Sequence, residues 1–120
     1  MSTRVEKINS IIDTLMKETT IEGVAVVTTK GQLIAATLRQ GADEKAVSAM
    51  TAALASVGNR VGSVLGVGNI HDIMIQGENK IVDLRSTGGV YLLALAPADE
   101  KIGLLDYELS KATEELTKIL

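Results

Sequence analysis

AVSAMTAALASVGNRVGSVLG, residues 46–66, contains no proline and reads as one long helix. Its large apolar residues, Val47, Met50, Leu54, Val57, Val61, Val64 and Leu65, form one stripe at helical spacing. That stripe is expected to face the protein's own core. Beside it runs a line of small residues, Ala42, Ala46, Ala49, Ala53 and Ser56, ending at Arg60. Small side chains allow close approach, so this second line is expected to meet something as well. Asp43 is a good N-cap, Glu44 suits the positive end of the helix dipole, and Gly66 and Gly68 end the helix. Gly58 and Gly62 each cost the helix about 1 kcal/mol relative to alanine, which close packing or a kink would explain.

Strands flank this helix on both sides. Before it, VAVVTT and QLIAATL surround Lys30-Gly31, the pattern of a hairpin. Val24 to Val27 are apolar without alternation, as in a strand covered on both faces. After it, HDIMIQGENKIVDLRSTGGVYLLALAP gives three more strands, with turns at Gly77-Glu78-Asn79 and Thr87-Gly88-Gly89. VYLLALA is apolar throughout and reads as central, whereas HDIMIQ has mixed faces and reads as an edge. Pro97 stops the last strand.

Two further helices close the chain's ends. Ser2 to about Thr19 is amphipathic, with Val5, Ile8, Ile12 and Leu15 on one face and a plausible cap at Ser2. The last helix, capped by Asp99, turns Ile102, Leu105, Leu109, Ala112, Leu116 and Ile119 to one side. The order is α-β-β-α-β-β-β-α. It predicts an α+β fold over residues 1–120, a two-layer arrangement with one five-stranded antiparallel sheet and helices on both faces.

The composition excludes several classes of function. The 120 residues include no cysteine, which rules out disulfides, thiolate metal sites and a cysteine nucleophile and suits a reducing compartment. The net charge is −3, with no basic patch of the kind that binds nucleic acid. No apolar run reaches the length of a membrane span, and MSTRVEKINS lacks the apolar stretch of a signal peptide. A cytoplasmic location is expected. Tyr91 and Tyr107 are the only aromatic residues, too few for stacking platforms or aromatic cages.

Catalytic machinery is also sparse. A GxxxxGK[ST] phosphate loop is absent, and Gly66-Val67-Gly68 follows a helix where a dinucleotide loop should open one. His71 and Asp72 are neighbours on a strand and point to opposite faces. Asp83 sits among apolar residues and could be a poised carboxylate. Arg85, two residues on and on the same face, is its natural partner. No nucleophile, base and orienting group come together, so no enzyme activity, cofactor or metal is expected.

The interaction signals are stronger. An edge strand carrying Ile73, Met74 and Ile75 without proline or lysine is a template for another strand. The small-residue line on the long helix would admit a second helix, although alanines are also simply good helix formers. One two-fold contact could use both features. The expectation is a homodimer joined through the Ile70–Gln76 strand, with His71, Ile73 and Ile75, and through Ala46, Ala49, Ala53 and Ser56.

These segments together resemble the roadblock/dynein light chain family. The resemblance is carried by IEGVAVVTTKGQLIAATL, with Gly23 before the strand and Gly31 in the turn, by AVSAMTAALASVGNRV, and by YLLALAPADEKIGLLDYELSKATEEL with its Gly103-Leu104-Leu105 element. It covers nearly the whole chain, which in its compact stand-alone form is similar to the bacterial and archaeal members. The resemblance implies a roadblock/profilin-like fold and a dimerisation platform that regulates or scaffolds a small Ras-like GTPase. Arg39 and Arg60 are then candidate arginines supplied in trans, and Lys45, Ser48, Ala52, Asn59 and Arg60 a candidate partner surface. The alternatives are a motor-associated light-chain-like subunit and a small-molecule-sensing domain, the latter disfavoured because no polar cluster marks an apolar pocket.

Overall fold

Residues 3–120 are described by a computed structural model. The chain forms α1 (Arg4–Glu18), β1 (Gly23–Thr28), β2 (Leu33–Thr37), α2 (Glu44–Leu65), β3 (Asp72–Gln76), β4 (Lys80–Thr87), β5 (Val90–Pro97) and α3 (Ile102–Ile119). The five strands make one sheet in the order β2-β1-β5-β4-β3, with every neighbouring pair antiparallel. β1 and β5 are interior strands and β3 is an edge, as their hydrophobic patterns require. Gly31 takes a positive φ of 84° in the β1–β2 turn, a conformation that costs glycine little.

The two faces of the sheet are covered unequally. α1 and α3 lie on one face, where Ile8, Ile12, Leu105, Leu109 and Leu116 meet Val24, Val26, Leu92 and Ala94 in the main core. α2 alone covers the other face, over a small cluster built on Ala55, Leu84 and Tyr91 with Leu54, Ile73 and Leu93 against it. Val24, Ala25, Val26 and Val27 are fully buried between the two layers.

The helix ends show which capping signals the chain uses. Asp43 caps α2 by accepting the Ala46 N–H at 3.0 Å, and Gly66 closes it in the left-handed conformation. α2 is continuous from Glu44 to Leu65, so Gly58 and Gly62 mark close packing and no break. The cap of α1 is Thr3, whose hydroxyl accepts the Glu6 N–H at 3.1 Å, while Ser2 lies outside the described residues. Asp99 does not cap α3. That helix starts later, after Lys101, with no side-chain cap, because Pro97 to Glu100 close a turn first. Ile102 is accordingly exposed, as is Val5 on α1.

The orientation of α2 departs from its apolar stripe. The residues buried against the sheet are Ser48, Thr51, Ala55 and Gly62, while Met50, Val57, Val61, Val64 and Leu65 are exposed. Small residues let this helix settle close to the sheet. A Cβ on Gly58 would lie 2.4 Å from the Ile73 Cδ1, and one on Gly62 only 2.7 Å from the Ile70 Cδ1. The Ser48 and Thr51 hydroxyls donate to the carbonyls of Glu44 and Val47 at 2.8 and 2.7 Å, so both can be buried without a lost hydrogen bond.

Candidate protein-interaction face

The outward side of α2 presents a ridge of large apolar residues to solvent. Met50 is 61% exposed, Val57 59% and Val64 83%. Ala49, Ala53, Ser56 and Arg60 run beside this ridge and are exposed too. A contiguous apolar ridge on a small chain marks a surface meant to be covered.

Below the ridge the sheet is incompletely roofed. α2 crosses over the end of the sheet that holds Gly31, Leu84, Tyr91 and Ile73. The opposite end is left as an open groove of about 600 Å³. Leu38, Val47, Met50, Val82, Leu93 and Leu95 line it, together with Ala46. The rim is charged: Arg39 and Asp43 stand on one side, and Lys80 and Glu22 form an ion pair of 2.6 Å on the other.

β3 completes this face. It pairs only with β4 among the described strands, so one row of its backbone groups is free for another strand. Ile75 and His71 are exposed. Ile73 turns toward its own α2 and is half-buried there, so it supports the edge more than it projects from it.

Of the candidate partner residues, Lys45, Asn59 and Arg60 are exposed. Ser48 is buried and Ala52 half-buried beneath the β1–β2 turn, which corrects the expectation that both present themselves to a partner. They lie on the side of α2 that meets the sheet. The signal was available in the sequence: Ser48, Thr51, Ala55, Gly58 and Gly62 recur at alternating spacings of three and four, the small-residue seam of a closely packed helix. The groove left no such mark, because it arises from how far α2 reaches across the sheet.

Asp83 and Arg85 of β4 form a separate structural cluster beneath α3. Asp83 is fully buried, and the Arg85 Nη2 donates to it at 3.3 Å and to Asp106 at 2.8 Å. The Arg85 Nη1 donates to the Ser110 hydroxyl at 2.9 Å, and Asp72 on β3 lies 3.7 Å from the guanidinium. Burial, reinforced by the neighbouring Asp72 and opposed by Arg85, raises the Asp83 carboxyl to about 7. Burial works against the charge on Arg85, but its bonds to Asp106 and Asp83 prevail and hold its pKa up. The expected Asp83–Arg85 pair is thus formed. His71 stands exposed ahead of β3, while Asp83 is sealed under α3, and the two share no site. Among the described residues no group of His, Asp and Glu is arranged to hold a metal ion, and no helix is long and apolar enough to cross a membrane.

Comparison with known proteins agrees with this architecture. The Roadblock/LC7 domain profile matches residues 7–96. The uncharacterized protein MJ1340 of Methanocaldococcus jannaschii is 28% identical over 109 residues, covering 91% of this chain and 96% of its own. Myxococcus xanthus MglB superposes with a TM-score of 0.91 at 25% identity, over 99% of this chain and 91% of that one. An MglB solved in a tetrameric arrangement gives 0.86 at 16% identity, over 99% and 91%. The element order, the sheet order and the match across most of the chain lead to one conclusion: this protein belongs to the Roadblock/LC7 domain family.

Proposed function

We propose that the protein is a homodimeric regulator of a small Ras-like GTPase, acting by binding and performing no chemistry of its own. The observation that carries this reading is the exposed apolar ridge of α2, which runs alongside an open groove and an unpaired edge strand. A two-fold axis through β3 would continue the sheet into a second copy and lay each α2 against the other. The ridge supplies apolar contact in that arrangement, and Ala49 and Ala53 allow the helices to approach. The expected contact through Ala46, Ala49, Ala53 and Ser56 is therefore widened to include Met50, Val57 and Val61.

Family membership and the likeness to MglB support a regulatory role, and the GTPase is the partner that the family resemblance implies. Arg60, Lys45 and Asn59 stay exposed beside the paired helices, where such a partner would meet them. A partner of this kind works in the cytoplasm.

The test uses the purified chain on a resin with small Ras-like GTPases from the same genome, each loaded with GTP or GDP. Retention of one nucleotide form over the other is expected. Failure of both forms of every GTPase overturns the regulatory reading. The homodimer is judged separately by sedimentation equilibrium, where a monomer at micromolar concentration removes it.

A further inference from the structure

The face of the sheet opposite α2 carries a second surface with no assigned use. α1 and α3 leave a furrow between them, about 230 Å³ where Ile11 and Leu15 face Leu104 and Tyr107. It continues past Ile11 and Glu115 toward Lys7 and Ile119, as a shallower stretch of about 370 Å³. Together the two stretches follow α1 from Glu18 back to Glu6.

Three features of the furrow bear on what it holds. The chain has only two aromatic residues, and while Tyr91 is in the core, Tyr107 stands 65% exposed on the furrow's lip. Leu104 beside it is 48% exposed. Exposed tyrosine over an apolar floor is the composition of an interface anchor. The second feature is shape, since a furrow between two packed helices accepts the ridge of a third. The third is charge. Among the residues that line the Leu104 stretch, Lys111 is the one cation beside Glu18 and Glu108, and the Glu108 Oε2 is buried without a hydrogen-bond partner among the described residues. At the far end Lys7 and Lys118 balance Glu6 and Glu115. The furrow is acidic at one end only. Burial first and then the nearby Glu100 push the Glu108 carboxyl above the usual range, against a smaller opposing pull from the Thr19 side chain.

We propose that this furrow docks an amphipathic helix of a partner protein, which rests apolar side chains on Leu104, Tyr107 and Ile11 and brings a lysine or arginine to Glu108 and Glu18. The helix lies with its positive N-terminal end toward those two acids, so its dipole and its basic residue act together. The site is independent of the GTPase reading, because it is on the other side of the sheet from α2.

The probe is a labelled amphipathic peptide of about 16 residues, long enough at ~1.5 Å per residue to run the length of α1. It carries leucines at helical spacing and arginines in its first two turns, and a twin replaces those arginines with glutamate. Fluorescence anisotropy with the full chain is expected to show the arginine peptide binding at least about tenfold more tightly than its twin. Tyr107→Ala is expected to weaken it about tenfold and Glu108→Gln about threefold, both at unchanged circular dichroism. Val61→Glu, on the α2 ridge, is expected to leave peptide binding unchanged. Absence of binding, equal binding of the two peptides, or binding indifferent to both Tyr107→Ala and Glu108→Gln overturns the proposal. Loss of peptide binding in Val61→Glu overturns it too, because the peptide would then be on the wrong face.

Discussion

Gly58 of α2 and Ile73 of β3 occupy one space: a Cβ on the glycine would come within 2.4 Å of the isoleucine's Cδ1. Only the end of a flexible side chain stands in the way, since the next atom, Cγ1, is 3.4 Å off. Gly58→Ala gains helix propensity of about 1 kcal/mol and loses a similar amount to crowding. Removing the Cδ1 should release the gain. Chemical denaturation of Gly58→Ala, Ile73→Val and the double variant is expected to give a favourable coupling of about 1 kcal/mol.

Gly62 is harder pressed, because the Gly68 carbonyl oxygen, at 3.1 Å, stands there as well as the Ile70 side chain. Backbone cannot rotate away. Gly62→Ala should therefore destabilise the chain by about 1–2 kcal/mol despite the better helix former, and Ile70→Val should restore only part of it. Thermal unfolding of the two single variants and the pair checks this.

On the interaction face, folding and association should separate. Val61 and Ala53 are exposed in the single chain, so glutamate at either should leave the protomer folded. Sedimentation of Val61→Glu and Ala53→Glu is expected to show monomers with unchanged circular dichroism. Ile75→Lys, on the free edge, should weaken the dimer in the same way. A dimer untouched by all three substitutions would place the contact elsewhere.

Asp83 gives the stability a pH dependence of definite sign. Its folded carboxyl titrates at about 7, against an ordinary value of 3.8 in the unfolded chain. Between those values the native state keeps a proton that the unfolded state has released. Stability should fall as pH rises across that window, by up to about 1.4 kcal/mol per pH unit, and level off above 7. Asp72 and Arg85 are the charged groups that act on it and shape the curve, and Asp106 shares Arg85 with it. Urea denaturation of Asp83→Asn from pH 5 to pH 8 should lack most of the slope, so that the variant gains on the native chain as pH rises.

Arg85 is the shared counter-charge for that cluster. Arg85→Met at pH 8 leaves Asp83 buried beside Asp72 with no cation and should cost about 3 kcal/mol. At pH 5, where Asp83 holds its proton, the loss should be smaller. Arg85→Lys is expected to fall between, since an ammonium cannot reach Asp83, Asp106 and Ser110 as the fork of a guanidinium does. Midpoints at the two pH values decide it.

Much of this molecule could be read from its residues. The uninterrupted valines of β1 and the apolar run of β5 mark interior strands, because a strand covered on both faces has no reason to alternate. The mixed faces of β3 mark the edge. Asp43 and Gly66 bracket α2 by local hydrogen bonding and backbone geometry, which need no tertiary context. The orientation of α2 did need it. Periodicity reveals that Val57 and Val61 share a stripe, but a helix that carries both a bulky stripe and a seam of small residues can offer either to a sheet. Ile70 and Ile73 settle the choice by rising toward α2 where only glycine leaves room. The groove and the furrow were hidden for a related reason: each is space between elements, lined by residues far apart in sequence. Tyr107 was visible as a rare aromatic, and its exposure depends on where α3 lies against α1.

The unequal burial on the two sides of the sheet has a consequence for rigidity. The layer of α1 and α3 is anchored by many fully enclosed leucines and isoleucines, whereas the α2 layer rests on a handful of small contacts. One side of the protomer is self-sufficient and the other is finished by company. Amide exchange should therefore be slow in α3 at any dilution but quicken in α2 as copies separate, which makes the stiffness of the platform a function of how crowded the protein is with its own kind.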